Sequence, residues 1–257
     1  MDEKIRDRRR RVTRQRGRRR AGLVLVAIVV LAAVGLFLWL RSSDVFAVER
    51  VTATVTQHVT EEQIGGLTSP ALGVSLLRLS TGAIKEGLLS LAYVRSAEVH
   101  RRFPDTLEVR LVEYEPFARL NAQDGGIWLV ADDGRILEKV RPPRGAGLPL
   151  VVYEGSLAPV AGETLPETIV TALPAVELAG TDDFREDLAA VERILVSAAG
   201  TVVLALKGVT ELRLGDPTGL EYKLTVAKDI FHRYLRDDQQ IEYIDLSVPE
   251  RPAVKAR

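Results

Sequence analysis

Apolar residues recur along this chain in three spacings, and each spacing predicts a different element. The first is an unbroken run, AGLVLVAIVVLAAVGLFLWL, from Ala21 to Leu40. As a helix rising about 1.5 Å per residue it extends about 30 Å, the hydrocarbon thickness of a bilayer. Trp39 stands near its far end, where an amphipathic ring suits the interface, and Arg41 stops it. A cleaved leader has an apolar stretch of only about 7–15 residues followed by a small-x-small site. Leu40-Arg41-Ser42-Ser43-Asp44 makes a poor site of that kind. A retained membrane anchor with its ends at Ala21 and Leu40 is therefore expected.

Beyond the run, apolar positions alternate by two or recur at helical spacing. Val48 to Val55 places Val51, Ala53 and Val55 on one face of a strand. Thr60-Glu61-Glu62-Gln63 fits a capping box, opening a short helix that Gly65-Gly66 should close. Leu76 to Leu91 reads as a helix with Ser80 or Thr81 as N-cap and Ile84, Leu88 and Leu91 on one side. Val94 to Arg102 and Thr106 to Glu113 are strands around the turn Phe103-Pro104-Asp105, with Leu107, Val109 and Leu111 facing one way. The order is β-α-α-β-β, a compact α+β unit over residues 45–115.

Residues 116–248 change character. Phe117 to Asn121, Ile127 to Ala131 and Arg135 to Val140 are separated by Asp124-Gly125-Gly126 and Asp132-Asp133-Gly134, which are hairpin signals. Leu148 to Tyr153 is a further apolar stretch. Pro166 suits the first turn of a helix towards Leu178, which Pro174 must kink or split. Residues 182–190 fit a short helix or a lead-in to a strand equally well. Val191 to Ser197, Thr201 to Leu206 and Glu211 to Leu214 follow as antiparallel strands. After the turn Asp216-Pro217-Thr218-Gly219, Leu220 to Leu235 is a helix with Leu220, Leu224, Ala227, Phe231 and Tyr234 along one face. Ile241 to Val248 is a last strand, ended by Pro249, with residues 249–257 as a tail. This second domain is a mixed, mainly antiparallel sheet with a C-terminal helix–strand unit, so the fold class is α+β throughout.

Charge sharpens the membrane reading. The 257 residues balance 35 basic against 35 acidic side chains, yet residues 1–20 hold 11 Lys/Arg and 3 Asp/Glu. Residues 41–257 are left with 24 basic and 32 acidic groups, a net of −8. Basic flanks stay cytoplasmic, so Arg18, Arg19 and Arg20 with Arg8 to Arg11 act as a topology signal, and the rest lies outside. Whether the tail also holds anionic lipid or nucleic acid is open. Binding of nucleic acid outside the membrane is disfavoured, because phosphate recognition needs concentrated positive charge.

Catalytic chemistry is not expected, and no catalytic, metal or cofactor residues are assigned. There is no cysteine, which excludes disulfides and thiolate chemistry. His58, His100 and His232 fall in unrelated segments and are expected on surfaces or strands, not as metal ligands. No nucleophile elbow or phosphate loop is present. The pairs Asp132-Asp133, Asp182-Asp183 and Asp237-Asp238 lie at turns or element ends, where Asp bonds its own backbone. Arg95, Arg101, Arg102 and Arg110 form one basic cluster on two strands, either a secondary docking patch or a solvated sheet edge.

In this order the segments resemble the bacterial FtsQ/DivIB cell-division family. Val45-Phe46-Ala47-Val48-Glu49-Arg50-Val51 resembles the first strand of that family's POTRA domain. The stretch from Phe103 to Ala118, FPDTLEVRLVEYEPFA, is similar to its extended strand and Glu-x-x-Pro-x-Ala corner. Trp128 with Asp132-Asp133-Gly134 resembles its hairpin, Leu148-Pro149-Leu150 its short LPxL-like segment, and Leu214-Gly215, Lys223 and Tyr243-Ile244-Asp245-Leu246 its last strand–helix–strand unit. Ser247 departs from it, standing where Arg is common.

The resemblance implies a single-pass, non-enzymatic scaffold at the division septum that joins early and late division proteins. It would bind FtsB/DivIC-like and FtsL-like partners, without a cofactor. A last strand at a sheet edge would offer them unpaired backbone groups. Tyr243, Ile244, Asp245, Leu246, Ser247 and Val248 are then the partner-binding residues, with Tyr243, Asp245 and Ser247 outward and Ile244, Leu246 and Val248 towards the core. The alternative is a POTRA-type transport or secretion component of the envelope.

Overall fold

The computed structural model describes residues 25–35, 39, 44–54, 56–122, 125–141, 144–181, 184, 190–207, 210–236 and 240–256. Arg18, Arg19, Arg20, Ala21 and Leu40 lie outside the described residues, as do the pairs Asp182-Asp183 and Asp237-Asp238 and most of 182–190. Residues 25–35 are helical, with Leu25, Val26, Ile28, Val29, Val30, Leu31 and Val34 all exposed. No described helix is long and apolar enough to cross a membrane.

The chain divides into two compact units. One comprises Met1–Val55, Thr60–Gly87 and Ala97–Arg110; the other comprises Thr56–Val59, Leu88–Ser96 and Leu111–Arg257. The first unit is built around a three-stranded sheet in the order β1 (Arg50–Ala53), β3 (Thr106–Glu113), β2 (Val94–Arg102). β1 runs parallel to β3, pairing Val51 with Leu107 and Ala53 with Val109. Parallel neighbours need a crossover, which the helices α1 (Glu61–Thr68) and α2 (Thr81–Leu89) supply. Leu107 and Val109 are buried on one sheet face, as alternation required, and the helices bury Ile64, Ile84 and Leu88.

Thr60 opens α1 with the expected reciprocal cap: its side chain accepts from the Gln63 amide, and Gln63 accepts from the Thr60 amide at 2.9 Å. The helix does not close at Gly65-Gly66 but continues to Thr68. Two glycines cost a helix about 1 kcal/mol each relative to alanine. Burial of Ile64 and Thr68, with the Thr68 hydroxyl donating to the Ile64 carbonyl at 2.9 Å, keeps the last turn in place. Conversely α2 starts only at Thr81, because Leu76 and Leu79 are buried from turn backbone and not from a helix.

In the second unit nine strands form one sheet in the order β12-β11-β10-β9-β8-β7-β4-β5-β6. These are β4 (Ala118–Asn121), β5 (Ile127–Val130), β6 (Ile136–Val140), β7 (Leu150–Tyr153), β8 (Val191–Val196), β9 (Val202–Leu206), β10 (Glu211–Gly215), β11 (Ile241–Asp245) and β12 (Ala253–Ala256). Five pairings are antiparallel, and three, β4 with β7, β7 with β8 and β10 with β11, are parallel. The sheet is therefore mixed and mainly antiparallel, as the pattern predicts.

Register explains where the core sits. Leu120, Val151, Ile194, Leu204, Leu212 and Ile244 are partners in turn across six strands, and every one is 0% exposed. Side chains at matched positions share a sheet face, so this row is the floor on which the helices pack. Those helices are α3 (Glu167–Val170), α4 (Leu173–Ala179) and α5 (Leu220–Arg236), contributing Ile169, Leu173, Val176, Leu224 and Ala227 to the same cluster. Pro166 caps α3 and Pro174 lies in the first turn of α4, so the expected helix is split.

The second unit also takes in 56–59, 88–96 and 111–114. Glu113 accepts backbone N–H bonds from Gln57, His58 and Val59 at 2.8–3.0 Å. His58, expected on a surface or strand, stacks on Tyr93 with centroids 4.1 Å apart. The Tyr93 hydroxyl donates to Glu138 at 2.6 Å and the Tyr114 hydroxyl to Asp133 at 2.7 Å. Arg135 donates to the carbonyls of Leu89, Leu91 and Ala92, holding the C-terminal end of α2, where carbonyls lack helical partners. The Asp132-Asp133-Gly134 turn that presents these groups needs its glycine: φ is +85°, and a Cβ would meet Val170 at 2.6 Å.

A pH dependence follows. Burial pushes the Glu113 carboxyl up, but the three amides and the His58 ring outweigh it and hold the group below its ordinary value. Its contribution is then complete above the usual carboxylate pKa of about 4.3 and is lost as pH falls through the lower folded value. Glu113→Gln should be less stable at neutral pH and lose less stability than the parent between about pH 5 and pH 2. Urea denaturation at a series of pH values measures this; parallel curves would refute it.

Candidate functional site

The two edges of the nine-stranded sheet differ. β6 is engaged at its start: Ile136 donates to the Glu163 carbonyl and accepts from the Gly162 amide, both at 2.8 Å, and Arg135 bridges Thr164. β12 has no strand beyond it among the described residues. Its outward amides and carbonyls form the open edge of the sheet.

That edge is not the strand expected. The pattern predicts Ile241 to Val248 as the terminal strand, but β11 stops at Asp245, and β12 pairs antiparallel along it, Ile244 opposite Val254 and Tyr243 opposite Lys255. The chain returns through 246–252, where Arg251 donates to the Val248 carbonyl at 2.9 Å. Val254 lies against the core and gives the four-residue strand its seat. Ile244 and Leu246 are buried as expected, whereas Val248 is 56% exposed. The strand has already ended there: the Leu246 amide bonds the Arg213 carbonyl and the chain turns away, so alternation no longer applies.

Register places Glu211, Tyr243 and Lys255 side by side on the face opposite the core, with Arg213, Asp245 and Ala253 as the neighbouring row. The Arg213 guanidinium stands 3.9 Å from the centre of the Tyr243 ring and pairs with Glu211 at 3.1 Å. Such a stack fixes the ring. Asp245 accepts from the Ser247 amide at 2.9 Å; with the Ser247 hydroxyl and the Arg213 charge this keeps its carboxyl below the usual range and ionised. Gly215, at the end of β10, has φ +69°, and a Cβ there would approach Ser247 to 3.0 Å, so the turn after β11 closes only over a glycine. Lys255 pairs with Glu242 at 2.9 Å.

The four arginines are divided among three acceptors. Arg102 and Arg110 both bind Glu108, at 2.6 and 3.0 Å, Arg101 donates to the Leu79 carbonyl, and Arg95 pairs with Asp132. Alternation puts successive side chains on opposite faces, and Glu108 offsets half the charge of the Arg102–Arg110 pair it binds. Among the described residues no group of three or more His, Asp and Glu could hold a metal ion. Arg213, Lys255 and the strand β12 were not anticipated; the one local signal was Val254, a lone β-branched apolar residue in a polar tail.

The profile of the POTRA domain, FtsQ-type, matches residues 46–114, and that of the cell division protein FtsQ/DivIB C-terminal region matches 118–247. The chain is similar to the cell division protein FtsQ of Anaeromyxobacter sp. (strain K), 30% identical over 264 aligned positions that cover 95% of this chain and 86% of that protein. It is 35% identical to FtsQ of Mycobacteroides abscessus over 123 positions, 48% of this chain and 39% of that one. Against FtsQ of Myxococcus fulvus identity is 28% over 204 positions, 75% and 70% of the two chains.

Proposed function

The chain belongs to the FtsQ/DivIB family of cell-division proteins, and from that premise we propose that it is a non-catalytic membrane scaffold of the division machinery. A basic cytoplasmic tail precedes one span, Ala21 to Leu40, and a POTRA domain (45–115) and a β domain (116–248) face outwards. At the septum these domains join early and late division proteins by holding FtsB/DivIC-like and FtsL-like partners.

The observation that carries this reading is the asymmetry of the large sheet, one edge bonded to residues 162–164 at Ile136 and the other open at Ala253–Ala256. An extended segment adding to β12 gains main-chain hydrogen bonds along the strand and side-chain contact with the Tyr243 ring and Lys255 beside it. Tyr243 and Asp245 reach that partner directly, whereas Ile244 and Leu246 support the strand from the core side.

Affinity capture with the full chain from detergent-solubilised membranes tests it. Lys255→Pro, which breaks the edge strand, should lower recovery of the FtsB-like partner at least about tenfold, the effect of about 1.4 kcal/mol. Tyr243→Ala should lower it about fivefold while the protein stays folded, as for an interface aromatic. Unchanged recovery by both variants would remove the edge from the mechanism. A fluorescent fusion of the full chain should form midcell bands; a uniform envelope signal would favour the transport reading instead.

A further inference from the structure

Val45, Leu72 and Phe103 are 60%, 51% and 55% exposed, and they stand on three segments that meet in the first unit. Residues 46–49 run between the other two. On one side the Leu76 amide bonds the Phe46 carbonyl, the Val48 amide bonds the Val74 carbonyl and the Gly73 amide bonds the Val48 carbonyl. On the other side the Glu49 amide bonds the Asp105 carbonyl, and the Phe46 and Phe103 rings meet edge-to-face at 5.7 Å. Val112, Val160, Tyr222 and Val248 are exposed too, but each stands on a separate segment. Single exposed apolar side chains are ordinary; a cluster rimmed by polar groups marks a contact surface.

The sequence says what lies nearest to this cluster. Four residues, Arg41 to Asp44, separate Leu40, the end of the apolar run, from Val45, five steps along the chain. A chain spans at most about 3.6 Å per residue, so Val45 stands no more than about 18 Å from the end of that run. The headgroup layer on one side of a bilayer is itself about 5–7 Å deep. The rim also suits this neighbour. Arg50 and Arg102 are paired with Asp105 and Glu108, while Arg78 and Arg101, on the same segments, have no acidic partner among the described residues. Aromatic and aliphatic side chains bordered by arginines are the composition of surfaces that rest in the lipid interface.

We infer that this end of the first unit is a lipid-contacting foot: Phe103, Leu72 and Val45 dip into the headgroup layer of the bilayer that Ala21 to Leu40 crosses. This rests on the membrane-anchored reading given above. The foot would give the unit a preferred attitude at the membrane, which a four-residue tether alone does not.

The absence of native cysteine allows single spin labels without background. Full-length protein carrying Leu72→Cys or Phe103→Cys, in phosphatidylcholine–phosphatidylglycerol vesicles, should show a label several-fold more accessible to oxygen than to a water-soluble nickel chelate. A label at Tyr222→Cys, 53% exposed in the second unit, should show the reverse. A label at Val30→Cys reports on the anchor separately. If it lies in lipid while those at 72 and 103 are as wet as that at 222, the foot is refuted and the anchor stands. If the label at 30 is also wet, the anchor fails and the foot with it. Labels at 72 and 103 shielded from both reagents would mean that a second copy covers the patch, which also overturns the inference.

Discussion

Leu246→Asp should abolish the fold of the nine-stranded unit. Leu246 is 0% exposed, within the cluster that unites Leu212, Leu214 and Ile244 of the sheet with Leu220 and Leu224 of α5. A carboxylate placed there enters a cluster of apolar side chains. Its desolvation costs tens of kcal/mol in a medium of low dielectric, and several even after protonation and relaxation. A domain has only about 5–15 kcal/mol in total. Leu246→Ala separates packing from charge: it should cost about 3 kcal/mol and leave the protein folded. Hydrogen exchange resolved by segment is the measurement, since two compact units make a single melting curve ambiguous. Exchange in β9, β10 and β11 should become fast in Leu246→Asp and remain protected in Leu246→Ala. Protected strands in the aspartate variant would show that this corner is not part of the cooperative core.

The second large effect is expected at Lys223. This lysine is 3% exposed, in the first turns of α5, and its ammonium donates to the carbonyls of Leu214 and Asp216, both at 2.8 Å, with the Asp216 carboxylate at 3.4 Å. Three donors meet three acceptors, and the helix is tied to the end of β10. Lys223→Met keeps the length and the apolar stem but leaves both carbonyls without that donor. A buried group losing its partner costs about 1–3 kcal/mol, so a loss of about 3 kcal/mol is expected. Little of it belongs to the ion pair, because Asp216 is largely exposed. Asp216→Asn should accordingly be mild, within about 1 kcal/mol. Equilibrium denaturation of the two variants decides it: equal losses would mean that charge, not carbonyl capping, holds the lysine in place.

The candidate site was only partly legible. Alternation located β2 and β3 to the residue, and it put Ile244 and Leu246 in the core, because burial on one sheet face leaves a period of two in the sequence itself. Pro174 announced the break between α3 and α4, since a proline lacks the N–H a continuous helix would use. The edge was misplaced by one strand. β12 has four residues and one apolar side chain larger than alanine, too short for any periodicity to show, and it exists because β11 offers a row of backbone groups to pair with. The partners of the basic cluster were hidden for a related reason. Arg95, Arg101, Arg102 and Arg110 are close in sequence, but which carboxylate or carbonyl each meets depends on the strand and turn beside it.

The amino-acid order by itself determined the apolar run, the division of charge around it, the elements and their inward faces, and the family resemblance. These follow from local spacing, propensity and composition, which require no partner to be known. Tertiary structure alone decided that β4, β7 and β8 are neighbours, that one sheet edge is engaged at Ile136 and the other open, that Lys223 is buried against two carbonyls, and that Val45, Leu72 and Phe103 share one end of a unit. Each of these joins separate elements of the chain, and such a pairing is fixed by the shape and hydrogen bonding of both, which neither carries alone.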